Sequence, residues 1–162
     1  MAKTLLIGAN STIAQALQKN SDREFLTFSR SEGTLDLDGD LSELDSVSDI
    51  DGLVYFPGTI NLKPFTMLKE EDFLNDFKIN VLGASKVVKK VINQLKEADG
   101  ASVVFISSVA ANIGLPFHAS IGASKSALEG MARALASEYT NAKVCFNVCL
   151  LYTSPSPRDL MR

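Results

Sequence analysis

Two hydroxyls and one amine stand out as groups able to do chemistry in this 162-residue chain. Ser107 and Ser108 follow the apolar run Val103 to Ile106, and Lys125 comes seventeen residues after Ser108. A short apolar run of this kind reads as a buried parallel strand, and open α/β sheets bind their ligands just beyond the carboxyl ends of such strands. A hydroxyl and an ammonium group in one crevice can steady negative charge as it develops on a substrate oxygen. Between them, SSVAANIGLPFHASIGASK turns into an Ala/Gly/Ser-rich helical pattern whose small residues let a ligand or a second helix come close. Asn80 is a third candidate, a lone amide in the apolar stripe Phe73, Phe77, Asn80, Ala84, Val87, Val91, Leu95. Such a residue is either a satisfied core asparagine or a functional one.

The elements that must position these groups alternate strand and helix. Leu5 to Ile7 is a strand ending at Gly8, followed by a helical pattern through Ile13, Ala16 and Leu17 that Asn10 or Ser11 can cap. The unpaired N–H groups at such a helix start favour a phosphate. Phe25 to Phe28 forms a second strand ending in Ser29-Arg30-Ser31, Thr34 to Leu37 a brief third, and Gly52 to Phe56 a continuous apolar strand. A loop over residues 59–70 leads into the long stripe, and the helical pattern over Gly122 to Tyr139 leads into a strand from Val144 to Val148. Length and pattern predict one domain with a substantial core.

Composition excludes several classes. With 46% hydrophobic and 22% charged residues the chain is ordinary globular protein, and a net charge of -3 without a basic cluster argues against nucleic acid as a partner. There is no run of eighteen apolar residues to span a membrane. The N-terminal MAKTLLIGAN runs straight into a glycine turn and does not read as a signal peptide. Cys145 and Cys149 are too few and too close for a disulfide framework and lack metal-site spacing, so a reduced cytoplasmic setting without a bound metal is expected.

Over residues 3–148 the sequence resembles the short-chain dehydrogenase/reductase (SDR) superfamily, as a divergent member. Ser108 matches the family's catalytic serine, Lys125 the lysine of its Tyr-x-x-x-Lys pair, and Asn80, in Lys-Ile-Asn-Val-Leu, its fourth catalytic position. Ile121 stands where the tyrosine belongs. The glycine loop, Gly8-Ala9-Asn10-Ser11-Thr12-Ile13-Ala14, keeps only the first glycine of Gly-x-x-x-Gly-x-Gly. Asp36-Leu37 is similar to the pair that touches adenine, and of the family's Asn-Asn-Ala-Gly only Gly58 remains in Tyr55-Phe56-Pro57-Gly58, so that strand end is expected to be held by packing.

The resemblance implies a Rossmann-type doubly wound parallel sheet in three αβα layers, incomplete at its C-terminal edge. It implies hydride transfer between a nicotinamide and a small-molecule carbonyl or alcohol, with a homodimer or homotetramer as the full-length form. In the family the tyrosine gives the proton, the serine orients the carbonyl, the lysine holds the nicotinamide ribose and the asparagine anchors a water relay. Cofactor contacts are then expected from Gly8, Asn10, Ser11, Ile13, Arg30, Asp36, Gly58 and Lys125. Arg30, at the end of the second strand, leans toward the 2′-phosphate of NADP(H) over NAD(H). Ile121 has no proton to give, and His118, seven residues before Lys125, is a substitute acid if the helix reaches back to it. The alternatives are a cofactor-binding SDR-fold protein without turnover, serving as a sensor or partner subunit, and an inactive fragment.

Residues 149–162 are expected to be a non-native, unstructured tail. Cys149 to Asp159, CLLYTSPSPRD, matches one reading frame of a transposase-type DNA sequencing adapter, which places the end of the native sequence near Val148.

Overall fold

The structure is a computed structural model and describes residues 2–152. Five strands form one parallel sheet: β1 (Lys3–Ile7), β2 (Phe25–Phe28), β3 (Ile50–Tyr55), β4 (Ala101–Ser108) and β5 (Val144–Leu151), in the order β2-β1-β3-β4-β5. Helices α1 (Thr12–Lys19), α2 (Glu70–Phe77), α3 (Gly83–Glu97), α4 (Ala110–Ile113) and α5 (Ala119–Glu138) flank it, a Rossmann-like α/β fold. Successive strand residues point to opposite faces, and Leu5 and Leu6 are both wholly buried, so the sheet is covered on both sides. β1 pairs with β2 on one side and β3 on the other. The chain therefore reverses its direction of growth at β1, and a crevice opens between the carboxyl ends of β1 and β3.

The strand expected over Thr34 to Leu37 does not form. Its backbone is spent on turns: Thr34 N–H donates to Ser29 O (3.1 Å), the Thr34 hydroxyl accepts from Ser29 N–H (2.8 Å), and Asp36 Oδ1 accepts from Asp38 N–H (2.9 Å). The acidic stretch after it forms a single 3-10 turn, Ser42–Leu44. The expectation of irregular chain from Cys149 also fails for the first three residues. β5 continues to Leu151 because β4 still offers a partner, with Cys149, Leu150 and Leu151 in register with Ile106, Ser107 and Ser108. Val109 N–H then donates to Leu151 O (3.1 Å). Residues 153–162 of the expected tail lie outside the described residues.

The long stripe is real but interrupted. Between α2 and α3 the chain makes a π turn, Lys78–Leu82. The wider turn shifts the helix phase, so Phe77 is 40% exposed and Asp76 takes the inward position at 0%. π turns of this kind occur frequently at functional sites. Beyond it the stripe resumes with Ala84, Val87, Val91 and Leu95, all buried. The β3 end is not held by packing alone. Tyr55, fully buried, donates its hydroxyl to Ile79 O in the π turn (2.6 Å), and burial pushes the pKa of that hydroxyl up.

Candidate active site

At the crevice between β1 and β3 lies a cleft of about 460 Å³ whose lining includes Gly8, Asn10, Ser11, Arg30, Asp36 and Gly58. Gly8 has φ +79°, and a β-carbon there would come within 3.0 Å of the Pro57 ring. The β1 and β3 ends thus approach too closely for a side chain, and positive φ suits glycine. Ser11 caps α1, its Oγ accepting from Ala14 N–H (3.2 Å). Asn10 turns instead across the cleft end, donating from Nδ2 to Ser29 Oγ (3.1 Å) and Ser31 Oγ (2.8 Å). Arg30 is exposed between those two serines, and Asp36 is also exposed. Ile13 is 43% exposed on the first turn of α1 and is not part of the cleft lining.

Gly58 joins this cleft to Asn80 and Lys125. A β-carbon on Gly58 would lie 3.1 Å from Asn80 Oδ1 and 3.2 Å from Lys125 Nζ, so both groups converge on one niche that only glycine leaves open. The π turn sets Asn80 there, and its Nδ2 donates to Asp76 O (2.8 Å) and Thr59 Oγ1 (3.0 Å). Asn80 Oδ1 is buried with no hydrogen-bond partner among the described residues. A buried acceptor left in this state calls for a water or a ligand hydroxyl. Lys125, on α5, donates to Ile106 O at the end of β4 (2.7 Å). Burial pushes its pKa down to about 8, while the Asp76 carboxylate pulls the other way.

Ser108 is half-buried at the last position of β4, and its Oγ accepts from Ala110 N–H (3.2 Å), which leaves the hydroxyl hydrogen for another acceptor. Ile121 is buried on α5, one turn before Lys125. His118 caps the start of α5, its Nδ1 2.7 Å from Pro116 O, and lines a separate hollow with Lys63, Phe65 and Phe117.

Sequence reasoning missed a buried polar cluster next to these residues. Asp76, at 0% exposure, accepts from Thr59 Oγ1 and Ser120 Oγ, each at 2.5 Å. A second buried carboxylate, Glu129, accepts from Ser107 Oγ (2.7 Å) and Asn112 Nδ2 (3.3 Å).

The family model for short chain dehydrogenase matches residues 42–156. This chain belongs to the short-chain dehydrogenase family. It is 30% identical to an uncharacterized oxidoreductase of Thermotoga maritima, covering 70% of this chain and 50% of that protein. It is also 30% identical to the 2,3-dihydro-2,3-dihydroxybenzoate dehydrogenase of Escherichia coli, covering 68% of this chain and 43% of that one. The chain thus spans half or less of the length of these curated family members. A crystal structure of a short chain dehydrogenase/reductase family oxidoreductase from Burkholderia thailandensis superposes with a TM-score of 0.83 at 21% identity, over 96% of this chain and 70% of that one. A 3-ketoacyl-(acyl-carrier-protein) reductase from Brucella melitensis, solved with NADH, does so with a TM-score of 0.82 at 18% identity, over 96% and 77%.

Proposed function

We propose that this protein is an NADP(H)-dependent oxidoreductase that moves a hydride between the cofactor and a small carbonyl or alcohol. The observation that carries the reading is the convergence of Asn80 and Lys125 on the Gly58 niche, where the switch-point cleft meets the strand bearing Ser108. The residues fit a nicotinamide dinucleotide. The Gly8 turn and the capped start of α1 suit a pyrophosphate, and the orphaned Asn80 Oδ1 and the Lys125 ammonium offer an acceptor and a donor to ribose hydroxyls or bound water. When bound, the cofactor supplies or accepts the hydride. Lys125 anchors the ribose, and Ser108 donates its hydroxyl hydrogen to the carbonyl oxygen as charge builds there.

Arg30, exposed at the cleft between the Ser29 and Ser31 hydroxyls, supports NADP(H) over NAD(H), since a guanidinium matches a phosphate in charge and shape. The Asp36 and Asp38 carboxylates beside it are suited to the adenosine end. The protein is proposed to act in the cytoplasm as a homodimer or homotetramer. Titrating the protein with NADPH and NADH and assaying a carbonyl panel tests the reading. Equal affinity for the two cofactors, unchanged by Arg30→Asp, removes the NADP(H) preference, and failure to bind either removes the whole reading.

A second reading rests on Ile121. With no proton on that side chain, the same fold would bind cofactor without turnover and serve as a sensor or partner subunit. Tight NADPH binding with no oxidation across the panel favours it.

A further inference from the structure

The family's catalytic positions leave Asp76 without a role, yet both of its carboxylate oxygens are held in the interior. It has no exposure, and its two oxygens take hydrogen bonds from different elements. Oδ1 accepts from Thr59, next to Gly58, and Oδ2 accepts from Ser120, on the first turn of α5. Its main-chain oxygen accepts from Asn80. Two of these partners border the niche occupied by Lys125 Nζ: Thr59 follows Gly58 in the chain, and Asn80 Oδ1 lies 3.1 Å from where a β-carbon on Gly58 would stand. Burying an ionised carboxylate for fold stability alone is a poor bargain, because desolvation costs several kcal/mol and apolar packing would serve as well.

We propose that Asp76 is the positioning residue for Lys125: clamped between Thr59 and Ser120 and making no ion pair with the lysine, its carboxylate stands behind Thr59 and Asn80 and favours the ammonium form at the Gly58 niche. The lysine is deeply buried and its one hydrogen-bond acceptor among the described residues is the neutral Ile106 carbonyl. Uncompensated, burial would favour the neutral amine. Only an ammonium has three N–H groups, enough to keep Ile106 O and also reach cofactor hydroxyls.

The other charges around Lys125 do not supply this. On α2, which packs on α5, Glu70 and Glu71 are exposed and Asp72 is turned to Lys63, Asn61 and the Lys69 N–H. β4 and α4 contain no ionisable side chain. Lys78 in the π turn is exposed and paired with Asp38 (2.8 Å). On α5, Glu129 is turned to Ser107 and Asn112, with Arg133 3.9 Å away, and Glu138 lies at the far end. His118 sits at the opposite end on Pro116 O, and Cys145 and Cys149 on β5 are exposed. Burial lowers the lysine pKa to about 8 and Asp76 acts against that shift, consistent with the geometry.

The proposal deepens the oxidoreductase reading and rests on it for its purpose, but its test needs no turnover. Competitive acetylation followed by mass spectrometry gives the apparent pKa of Lys125 in the cofactor-free protein. Asp76→Asn, which keeps a hydrogen-bonding group of the same shape, is expected to lower that pKa by about one unit, a tenfold change in the ammonium-to-amine ratio. The pH at which NADPH affinity halves should fall with it. Thr59→Val with Ser120→Ala removes both arms of the clamp while keeping the carboxylate, and should move the Lys125 pKa in the same direction. That measurement stands even if Asp76→Asn fails to fold. An unmoved Lys125 pKa in a folded Asp76→Asn protein, or in the folded Thr59→Val/Ser120→Ala protein, makes Asp76 a purely structural tie and overturns the proposal. Absence of NADPH binding with the Lys125 shift present leaves the positioning role standing and removes the cofactor reading instead.

Discussion

Tyr55 and Gly83 are fitted to one another: a β-carbon on Gly83 would collide with the Tyr55 hydroxyl, which passes over that residue to reach Ile79 O at 2.6 Å. The pair ties the end of β3 to the π turn and so fixes where Asn80 stands. Tyr55→Phe leaves the Ile79 carbonyl without this donor and should cost about 1–2 kcal/mol. Gly83→Ala should cost about 1–3 kcal/mol through overpacking. In the double variant the alanine methyl no longer meets a hydroxyl, so the two costs should fall short of additive by at least 0.5 kcal/mol or so. Urea denaturation of the four proteins measures this, and strict additivity would show that the two residues act independently.

This tie also separates what the sequence discloses from what only the folded chain shows. Ser108, Lys125 and Asn80 were legible because their types and spacings follow a strand end and two helical stripes. Asp76 was not, because a regular 3.6-residue period assigns the inward position to Phe77, and nothing in the local sequence announces the π turn that exchanges them. Thr34 to Leu37 alternates like a strand, but the Thr34 and Asp36 side chains compete for the backbone and win. Tyr55 replaces a family asparagine with a phenol whose reach, across to a different element, no local pattern encodes.

Stability should rise with pH on the alkaline side. Lys125 titrates at about 8 in the folded protein against 10.5 for an ordinary lysine, so between those values the unfolded chain binds more protons than the folded one. Below pH 8 the folded state carries the full cost of a buried ammonium, about 3 kcal/mol by linkage, and that cost is relieved progressively up to pH 10.5. Subtracting the pH profile of Lys125→Met from that of the parent isolates this contribution. A flat difference between pH 8 and 10.5 would contradict it.

On the acid side the loop before α2 depends on Asp72. Its carboxylate accepts from Lys63 Nζ (2.8 Å), Asn61 Nδ2 (2.8 Å) and Lys69 N–H (2.9 Å). Together these hold its pKa well below the usual 3.8. A depressed carboxylate contributes fully above its ordinary pKa and loses that contribution only as pH falls through the folded value. Asp72→Ala at pH 7 should therefore release residues 59–69, seen as faster hydrogen exchange at the Lys69 and Lys63 amides, while wild-type protection there persists down to pH 4. Equal exchange in the two proteins would mean that the loop is held by its apolar side chains.

The decisive substitution for chemistry is Ile121→Tyr. Position 121 lies one turn before Lys125 on α5, so a phenol there would have its pKa lowered by the neighbouring ammonium and could give a proton to a carbonyl oxygen steadied by Ser108. A positioned general acid contributes roughly 10²–10⁴-fold, and a graft without further tuning should recover about tenfold in kcat for NADPH-dependent carbonyl reduction. Because Ile121 is buried, the larger ring must also find room, and Ile121→Phe separates the two effects. If Phe raises the rate as much as Tyr, the gain comes from reshaping the pocket and not from the proton. If the parent already turns over at ~10 per second, a typical enzyme rate, another acid is in place. His118→Ala then decides whether the imidazole at the start of α5 is that acid, since its loss should abolish turnover without weakening NADPH binding.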